Sequence, residues 1–181
     1  EVKEAGLDMV PTSSTINQLS IGDALAISTL KRKKINNLDF KKFHPSGSLG
    51  EKLKTAEDLM LTKDKIPFIE ENKLMAKALK IMTEKKLGTL IVRNKKKNTT
   101  GIITDGQIRR FNSKNITLDS LKVKDVMTKN PIKIDKNILA TKALAIMNEK
   151  KITSLCVYEK EKRFITIGIL HIHNILNKKI Y

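Results

Sequence analysis

This sequence has little that could build a disulfide framework, a membrane span or a nucleic-acid reader. The chain has one cysteine, Cys156, which excludes an internal disulfide framework and favours a reducing compartment. No apolar run approaches the roughly 20 residues that a transmembrane helix needs. Tryptophan is absent, and the five Phe and two Tyr form no base-stacking string of the kind found in RNA-binding modules. We therefore expect a cytoplasmic protein with neither a membrane partner nor a nucleic-acid partner.

Acidic residues are also scarce, with 19 against 36 basic ones, so the formal net charge is +17. Only five of the basic residues are Arg, and the lysines cluster at the ends of predicted helices. A cation at a helix C-terminus interacts favourably with the helix dipole, so this placement has a local explanation. The charge raises the affinity for polyanions in general, but we interpret the basic residues as a solvated face.

Residues 56–181 contain two copies of one pattern, separated by 65 to 67 residues. The matching segments are 58–60 and 125–127, 77–82 and 142–147, and 101–103 and 168–170. Each copy has a short extended piece, an amphipathic helix, two β-branched strands and a closing helix, in the order β-α-β-β-α. The last strand of the second copy is predicted at 165–170. Two copies with so long a period indicate a tandem domain pair rather than a solenoid.

The segments that lead into each copy, 58–60 and 125–127, and the strands that begin at Gly101 and Gly168 resemble those of a pair of CBS domains. Such a pair is called a Bateman module. The resemblance implies two domains, at 55–118 and 119–181, packed around a pseudo-two-fold axis with clefts between the copies. Members of that family commonly bind adenosyl or other nucleotide ligands in the clefts and regulate an attached enzyme or channel.

The family's nucleotide-binding pattern, Gly-x-x-(Thr/Ser)-x-x-Asp, is only partly present. The first copy has Thr104 but Gln107 at the acidic position, and the second has His171 and Asn174. Amides lose the charge-assisted hydrogen bonds that a carboxylate makes with a ribose diol. Thr104, the following helix start and either Arg109 or Arg110 could hold a phosphate, or Thr104 could simply cap that helix. A nucleotide or sugar-nucleotide effector is left open. No Cys or carboxylate cluster completes a ligand set, so no metal is expected.

The first fifty residues are too few to bury a core of their own, so we expect them to be the tail of a larger domain. The hydroxyl run from Thr12 to Thr15 stands at a predicted helix start, with Ser14 or Thr15 as the expected N-cap. Exposed N–H groups at such a start suit a phosphate or sugar oxygen, although the hydroxyls could also serve only as caps. His44 precedes a proline, which favours an extended loop, and a histidine there can act as a general acid or base.

The order and spacing of four segments are closely similar to arabinose 5-phosphate isomerases of the KpsF/GutQ type. The segments are Lys3 to Ala5, Val10 to Thr15, Gly22 to Ala26 and Phe43 to Gly50, followed by the CBS pair. Those enzymes carry an N-terminal SIS domain, a parallel-sheet sugar-isomerase fold, before two CBS domains. The resemblance implies an α/β (α+β) chain whose residues 1–54 are the C-terminal segment of a SIS domain.

The same resemblance implies the interconversion of D-ribulose 5-phosphate and D-arabinose 5-phosphate, which feeds Kdo synthesis for lipopolysaccharide. Carried over residue by residue, Glu4 is expected as the proton-transfer base and His44 as the ring-opening or oxygen-protonating group. Thr12, Ser13, Ser14 and Thr15 are expected near the sugar phosphate. No cofactor is required. The family tends to form tetramers, so we expect a homotetramer or a dimer through the CBS domains.

The family's phosphate loop, catalytic lysine and another glutamate lie upstream of residue 1, so we expect this chain alone to be inactive. The alternative hypothesis is a nucleotide-sensing CBS module without catalysis of its own, in which the first fifty residues are only a linker.

Overall fold

The computed structural model describes residues 3–43, 47–112 and 117–178 of the chain. The chain forms two compact units that divide between residues 45 and 46. The mixture of helices and paired strands confirms the predicted α/β class. The domain ranges inferred from the sequence stay a prediction.

The described part of the first unit is helical. Its helices are α1 (Ala5–Asp8), α2 (Ser13–Arg32) and α3 (Asn37–Phe43). Thr12 occupies the N-cap position of α2, so the prediction of Ser14 or Thr15 as N-cap is wrong. The helix begins earlier because the carboxylate of Glu4 caps the N–H groups of Ser13 and Ser14 from outside the helix.

Helix α2 carries apolar side chains that are exposed to solvent. None of its residues is buried, and Ile16, Leu19 and Leu25 are 64%, 67% and 64% exposed. These three residues do not share one narrow stripe, because helical spacing turns Leu25 to the side opposite Ile16. A helix that is apolar on several sides is normally buried in a larger core.

The second unit contains two copies of the predicted β-α-β-β-α order. Its strands are β1 (Leu61–Thr62), β2 (Phe68–Glu70), β3 (Thr89–Arg93), β4 (Thr99–Thr104), β5 (Thr128–Lys129), β6 (Lys133–Asp135), β7 (Ser154–Tyr158) and β8 (Gly168–His171). Its helices are α4 (Gly47–Lys52), α5 (Ala56–Leu59), α6 (Met75–Lys85), α7 (Asp105–Asn112), α8 (Val123–Val126), α9 (Ala140–Lys150) and α10 (Ile172–Leu176). Strand β8 begins later than the predicted residue 165.

Helices α6 and α9 are equivalent in the two copies and pack in the same way. Each buries positions that recur at helical spacing and ends at a lysine in the left-handed conformation, Lys86 (φ 54°) or Lys151 (φ 52°). The buried residues are Met75, Ala78 and Met82 in α6, and Ala140, Ala143 and Met147 in α9. The small alanines let each helix lie close to its sheet, and the methionines fill the remaining space.

The strands form two four-stranded sheets. One sheet has the order β2-β3-β4-β5 and the other has the order β1-β8-β7-β6. Within each copy the two strands joined by the long helix are parallel, namely β2 with β3 and β6 with β7. The next pair, β3 with β4 or β7 with β8, is antiparallel. The edge strands are exchanged, because β1 of the first copy pairs with β8 and β5 of the second copy pairs with β4.

The exchange extends to the short helices that precede the edge strands. Ala56 and Leu59 of α5 pack in the core of the second copy, whereas Val123 and Val126 of α8 pack in the core of the first. The lead-in methionines follow the same rule, since Met60 lies against Gly168 and Met127 lies against Gly101. The two copies therefore depend on each other for a complete core.

Equivalent residues of the two copies contact each other through buried hydroxyl groups. Thr89 Oγ1 lies 3.1 Å from Ser154 Oγ, and Thr99 Oγ1 lies 2.7 Å from Thr166 Oγ1. All four hydroxyl residues are buried. Because buried hydroxyls are costly unless they are hydrogen-bonded, each copy supplies the partner that the other needs.

A small apolar cluster between the sheets includes Cys156. It packs with Ile66, Ile91 and Ile169, and each of these four residues is nearly inaccessible to solvent. Burial raises the pKa of the Cys156 thiol to about 11. The buried sulfur is thus a core atom with little nucleophilic character.

Candidate functional sites

In the first unit, the carboxylate of Glu4 lies against the N-terminus of α2. Its Oε2 accepts the backbone N–H of Thr12 at 2.5 Å and of Ser13 at 2.8 Å, and its Oε1 accepts the N–H of Ser14 at 2.7 Å. The Thr12 hydroxyl donates to Oε2 as well, at 3.2 Å. Unpaired N–H groups at a helix start favour an anion, and here a side chain of the same unit supplies it.

These contacts change the acid–base character of Glu4. A hydrogen bond from the Ser14 side chain, followed by the backbone N–H of Thr12, lowers the pKa of the Glu4 carboxyl to about 2. Donors that stabilise the charged form favour ionisation. A carboxylate with so low a pKa is a weak proton acceptor, whereas a general base works best with a pKa near the operating pH.

The predicted substrate-contacting hydroxyls have partners within their own unit. Ser13 Oγ donates to the carbonyl of Lys3 at 2.9 Å, and Thr15 Oγ1 donates to the carbonyl of Pro11 at 3.0 Å. Thr12 Oγ1 accepts the N–H of Ala5 at 3.1 Å while it donates to Glu4. The assignment of the run from Thr12 to Thr15 to the sugar phosphate stays a prediction. His44 lies outside the described residues, so its catalytic role stays a prediction.

In the first CBS-like copy, Thr104 ends β4 and Gln107 lies in the first turn of α7. Gln107 Oε1 accepts the N–H of Thr104 at 2.8 Å, and Gln107 Nε2 donates to the Thr128 hydroxyl on the exchanged strand β5. Gln107 is buried, whereas Arg109 is exposed on the same helix. The amide thus caps the helix start and fastens the two copies together.

The second copy repeats the capping arrangement with other side chains. His171 ends β8, and its N–H donates to Asn174 Oδ1 at 3.0 Å. The His171 Nδ1 atom accepts the N–H of His173 at 3.3 Å, and the two imidazole rings stack with centroids 5.1 Å apart. Partial burial, and then the nearby His173, lower the pKa of His171, so its neutral form is favoured.

The capping roles of Gln107 and Asn174 were not predicted from the sequence. Each stands three residues after the last strand residue, which is the position of the acceptor in a capping box. That spacing indicates a cap, whereas the family's nucleotide-binding pattern indicates a ligand contact at the same positions.

No group of three or more His, Cys, Asp or Glu side chains among the described residues is arranged to hold a metal ion. Among the helices of the same residues, none is both long and apolar enough to cross a membrane.

The family model for the CBS domain matches the sequence of this chain twice, at residues 56–114 and 123–180. The chain belongs to the CBS-domain family. The two matched ranges contain the two copies described above, with Gln107 in the first and Asn174 in the second. The predicted CBS pair is confirmed.

Curated relatives extend the similarity into the first unit. The chain is 37% identical over 171 residues to the arabinose 5-phosphate isomerases KdsD of Yersinia pestis and of Escherichia coli K12, covering 94% of this chain and 51% of each relative. It is also 37% identical over 177 residues to the uncharacterized protein RP505 of Rickettsia prowazekii, covering 98% of this chain and 54% of that protein. The predicted resemblance to these isomerases is confirmed, and the chain spans about half the length of the relatives it matches.

Solved CBS pairs share the fold of the second unit. CBSX2 in complex with AMP is similar with a TM-score of 0.61 and 21% identity, over 70% of this chain and 96% of that one. The CBS pair of MJ0100, solved with 5'-methylthioadenosine and S-adenosyl-L-methionine, has a TM-score of 0.60 and 18% identity, over 68% of this chain and 94% of that one. At these identities the likeness concerns the fold.

Proposed function

We propose that the complete protein is an aldose–ketose isomerase that interconverts D-arabinose 5-phosphate and D-ribulose 5-phosphate, with the CBS pair as its regulatory or assembly module. The observation that carries this proposal is the identity to KdsD, 37% over 171 residues. It covers 94% of the chain and so includes most of the first unit as well as the CBS pair. A CBS module joined to an unrelated protein would share only the pair.

The reaction needs groups that move protons and no change in net oxidation state. After the sugar ring opens, a base removes the proton from C2 of the aldose, and the C–H electrons form the double bond of an enediol as the C1 carbonyl oxygen gains a proton. Return of a proton to C1 and loss of the O2 proton give the C2 ketone. Proton transfers of this kind are the work of general acids and bases such as His, Glu and Lys.

His44 is the residue of this chain that we assign to that work, as the ring-opening or oxygen-protonating group. The proposal rests on its match to the isomerase motif, and the unperturbed pKa of an imidazole suits proton transfer near neutrality.

The exposed apolar surface of α2 supports a larger domain around the first unit. Ile16, Leu19 and Leu25 are more than 60% exposed, and soluble domains rarely leave so long an apolar helix open to water. In the proposed enzyme, this helix belongs to the core of a SIS domain.

A second proposal concerns the CBS pair, which we propose binds a nucleotide or sugar-nucleotide effector. The fold likeness to CBSX2 in complex with AMP supports it. Gln107 is turned toward Thr104 and Thr128, so its amide is not available to a ribose in this arrangement. We therefore expect AMP to bind weakly at the first copy.

The isomerase proposal is tested with the complete protein and arabinose 5-phosphate as substrate. His44→Ala should lower kcat by about 10² to 10⁴, the usual contribution of a general acid or base. Lys42→Ala is a matched control, because its side chain is 74% exposed and lies two residues from His44. Equal losses in both variants would point to a general disturbance of this segment rather than to chemistry at His44.

A further inference from the structure

The segment that carries Glu4 is tied to the start of α2 on both sides of that residue. Before Glu4, the Lys3 carbonyl accepts the Ser13 hydroxyl at 2.9 Å. After it, the Ala5 N–H donates to the Thr12 hydroxyl at 3.1 Å, and Ala5 also forms an antiparallel bridge with Val10. These contacts fix the backbone at residues 3 to 5 against the helix.

The carboxylate itself is engaged by several donors at once. It accepts three consecutive backbone N–H groups, of Thr12, Ser13 and Ser14, together with the Thr12 hydroxyl. Thr12 contacts Oε2 twice, through its N–H and its hydroxyl, while the hydroxyl oxygen accepts the N–H of Ala5. A helix start of this kind leaves N–H groups unpaired, and the carboxylate satisfies them.

We propose that Glu4 is a positioning residue that latches the preceding chain to the start of α2, rather than the proton-transfer base of the isomerase. This inference rests on the proposed function and revises the role that the motif match gives to Glu4. The contacts that hold the carboxylate stabilise its charged form, so a proton abstracted from carbon gains little by moving to it. A base that worked from this position would first have to leave its donors.

The latch gives the hydroxyl run a role that needs no substrate. The hydroxyl run binds both the main chain around Glu4 and the Glu4 carboxylate. Its N–H and hydroxyl groups, at Thr12, Ser13 and Ser14, therefore bind an anion that belongs to the protein itself. The catalytic effect of these residues is then indirect: they set the position of the helix start and of the chain that leads into it. Misplacement of such elements lowers a rate without removing a reacting group.

The test compares Glu4→Gln, Glu4→Ala and Thr12→Val in the complete protein. A glutamine oxygen can still accept the N–H groups of Thr12 and Ser13, so Glu4→Gln should keep kcat within about tenfold of the wild type. It should also leave the acid limb of the pH profile of kcat/KM where it was. Removal of a general base would instead lower kcat by about 10² to 10⁴. A loss of that size in Glu4→Gln, with the fold intact, would overturn the proposal.

Hydrogen–deuterium exchange provides a readout that does not depend on activity. Glu4→Ala should lose protection at the amides of residues 12 to 14, Thr12→Val should lose part of it, and Thr12→Ser should restore it. Glu51→Ala, which removes an ion pair with Lys54 in the second unit, is the matched control and should leave these amides unchanged. If the complete protein does not isomerise arabinose 5-phosphate, this arm still decides the latch. Unchanged protection in Glu4→Ala would refute it.

Discussion

The contact between Gly168 and Met60 gives the sharpest test of the exchanged lead-in strands. A Cβ atom added at residue 168 would lie 2.2 Å from Met60 Sδ, 2.8 Å from its Cγ and 3.1 Å from its Cβ. The Met60 side chain cannot simply swing away, because the clash reaches back to its Cβ. The mirror contact, Gly101 with Met127, has the corresponding distances of 2.4, 2.8 and 3.0 Å.

Gly168→Ala should therefore destabilise the second unit by about 1 to 3 kcal/mol, the usual penalty for overpacking. With a urea m-value of about 2 kcal/mol/M, the midpoint of unfolding should fall by roughly 0.5 to 1.5 M. Gly106→Ala is the control, since its nearest neighbour, Thr104 Oγ1, lies 3.8 Å away and a helical alanine is favoured over glycine. The assay is urea unfolding followed by circular dichroism.

A double-mutant cycle connects the effect to Met60. Met60→Ala removes Sδ and Cγ, the two nearest atoms, and leaves only the Cβ contact at 3.1 Å, so Gly168→Ala should lose most of its effect in that background, with a coupling energy of about 1 to 2 kcal/mol. Equal midpoints for Gly168→Ala and Gly106→Ala would refute the close packing of the lead-in strand on the second copy. So would an undiminished effect of Gly168→Ala in the absence of Met60.

The remaining predictions concern three other groups. Cys156, whose pKa is raised to about 11, should resist a thiol reagent at pH 8 in the native protein and react after unfolding in urea; rapid native labelling would contradict its burial. Thr89→Val and Ser154→Ala should each lower the free energy of unfolding by about 1 to 3 kcal/mol, because each leaves the other buried hydroxyl unpaired. The double variant should lose less stability than the sum of the two, and strict additivity in chemical unfolding would argue against the 3.1 Å contact. Because the pKa of Glu4 is lowered, the stabilising effect of its carboxylate is present above the ordinary pKa of 4.5 and is lost as the pH falls toward about 2. The amides of residues 12 to 14 should therefore lose their protection from hydrogen exchange between these two pH values. Loss of protection already at pH 6 would be inconsistent with the latch.

Much of the fold could be predicted because the sequence states it twice. The matched segments around Met82 and Met147, and the glycines at 101 and 168, fix the element order of both copies. The exchange of β1 and β5 could not be predicted in this way. Local periodicity shows that a strand exists, whereas its partner is chosen by contacts more than one hundred residues away in the case of Leu61 and Ile169.

The candidate sites were predicted less completely, for a physical reason that differs between the two units. In the second unit, the family pattern indicates Gln107 and Asn174 as weakened ligand groups, whereas in the structure their amides cap the helices that follow. In the first unit, the hydroxyl run was correctly placed at a helix start. Its partner could not be predicted, because Glu4 reaches the run only through a turn of the chain that the motif does not describe.

The most direct test of the account is the conversion of arabinose 5-phosphate to ribulose 5-phosphate by the complete protein. The account predicts turnover by the wild type, a loss of about 10² to 10⁴ in His44→Ala and near-normal turnover in Lys42→Ala. If a well-folded complete protein does not convert arabinose 5-phosphate even at saturating concentrations, the central claim is contradicted. The protein would then be a CBS module without this activity.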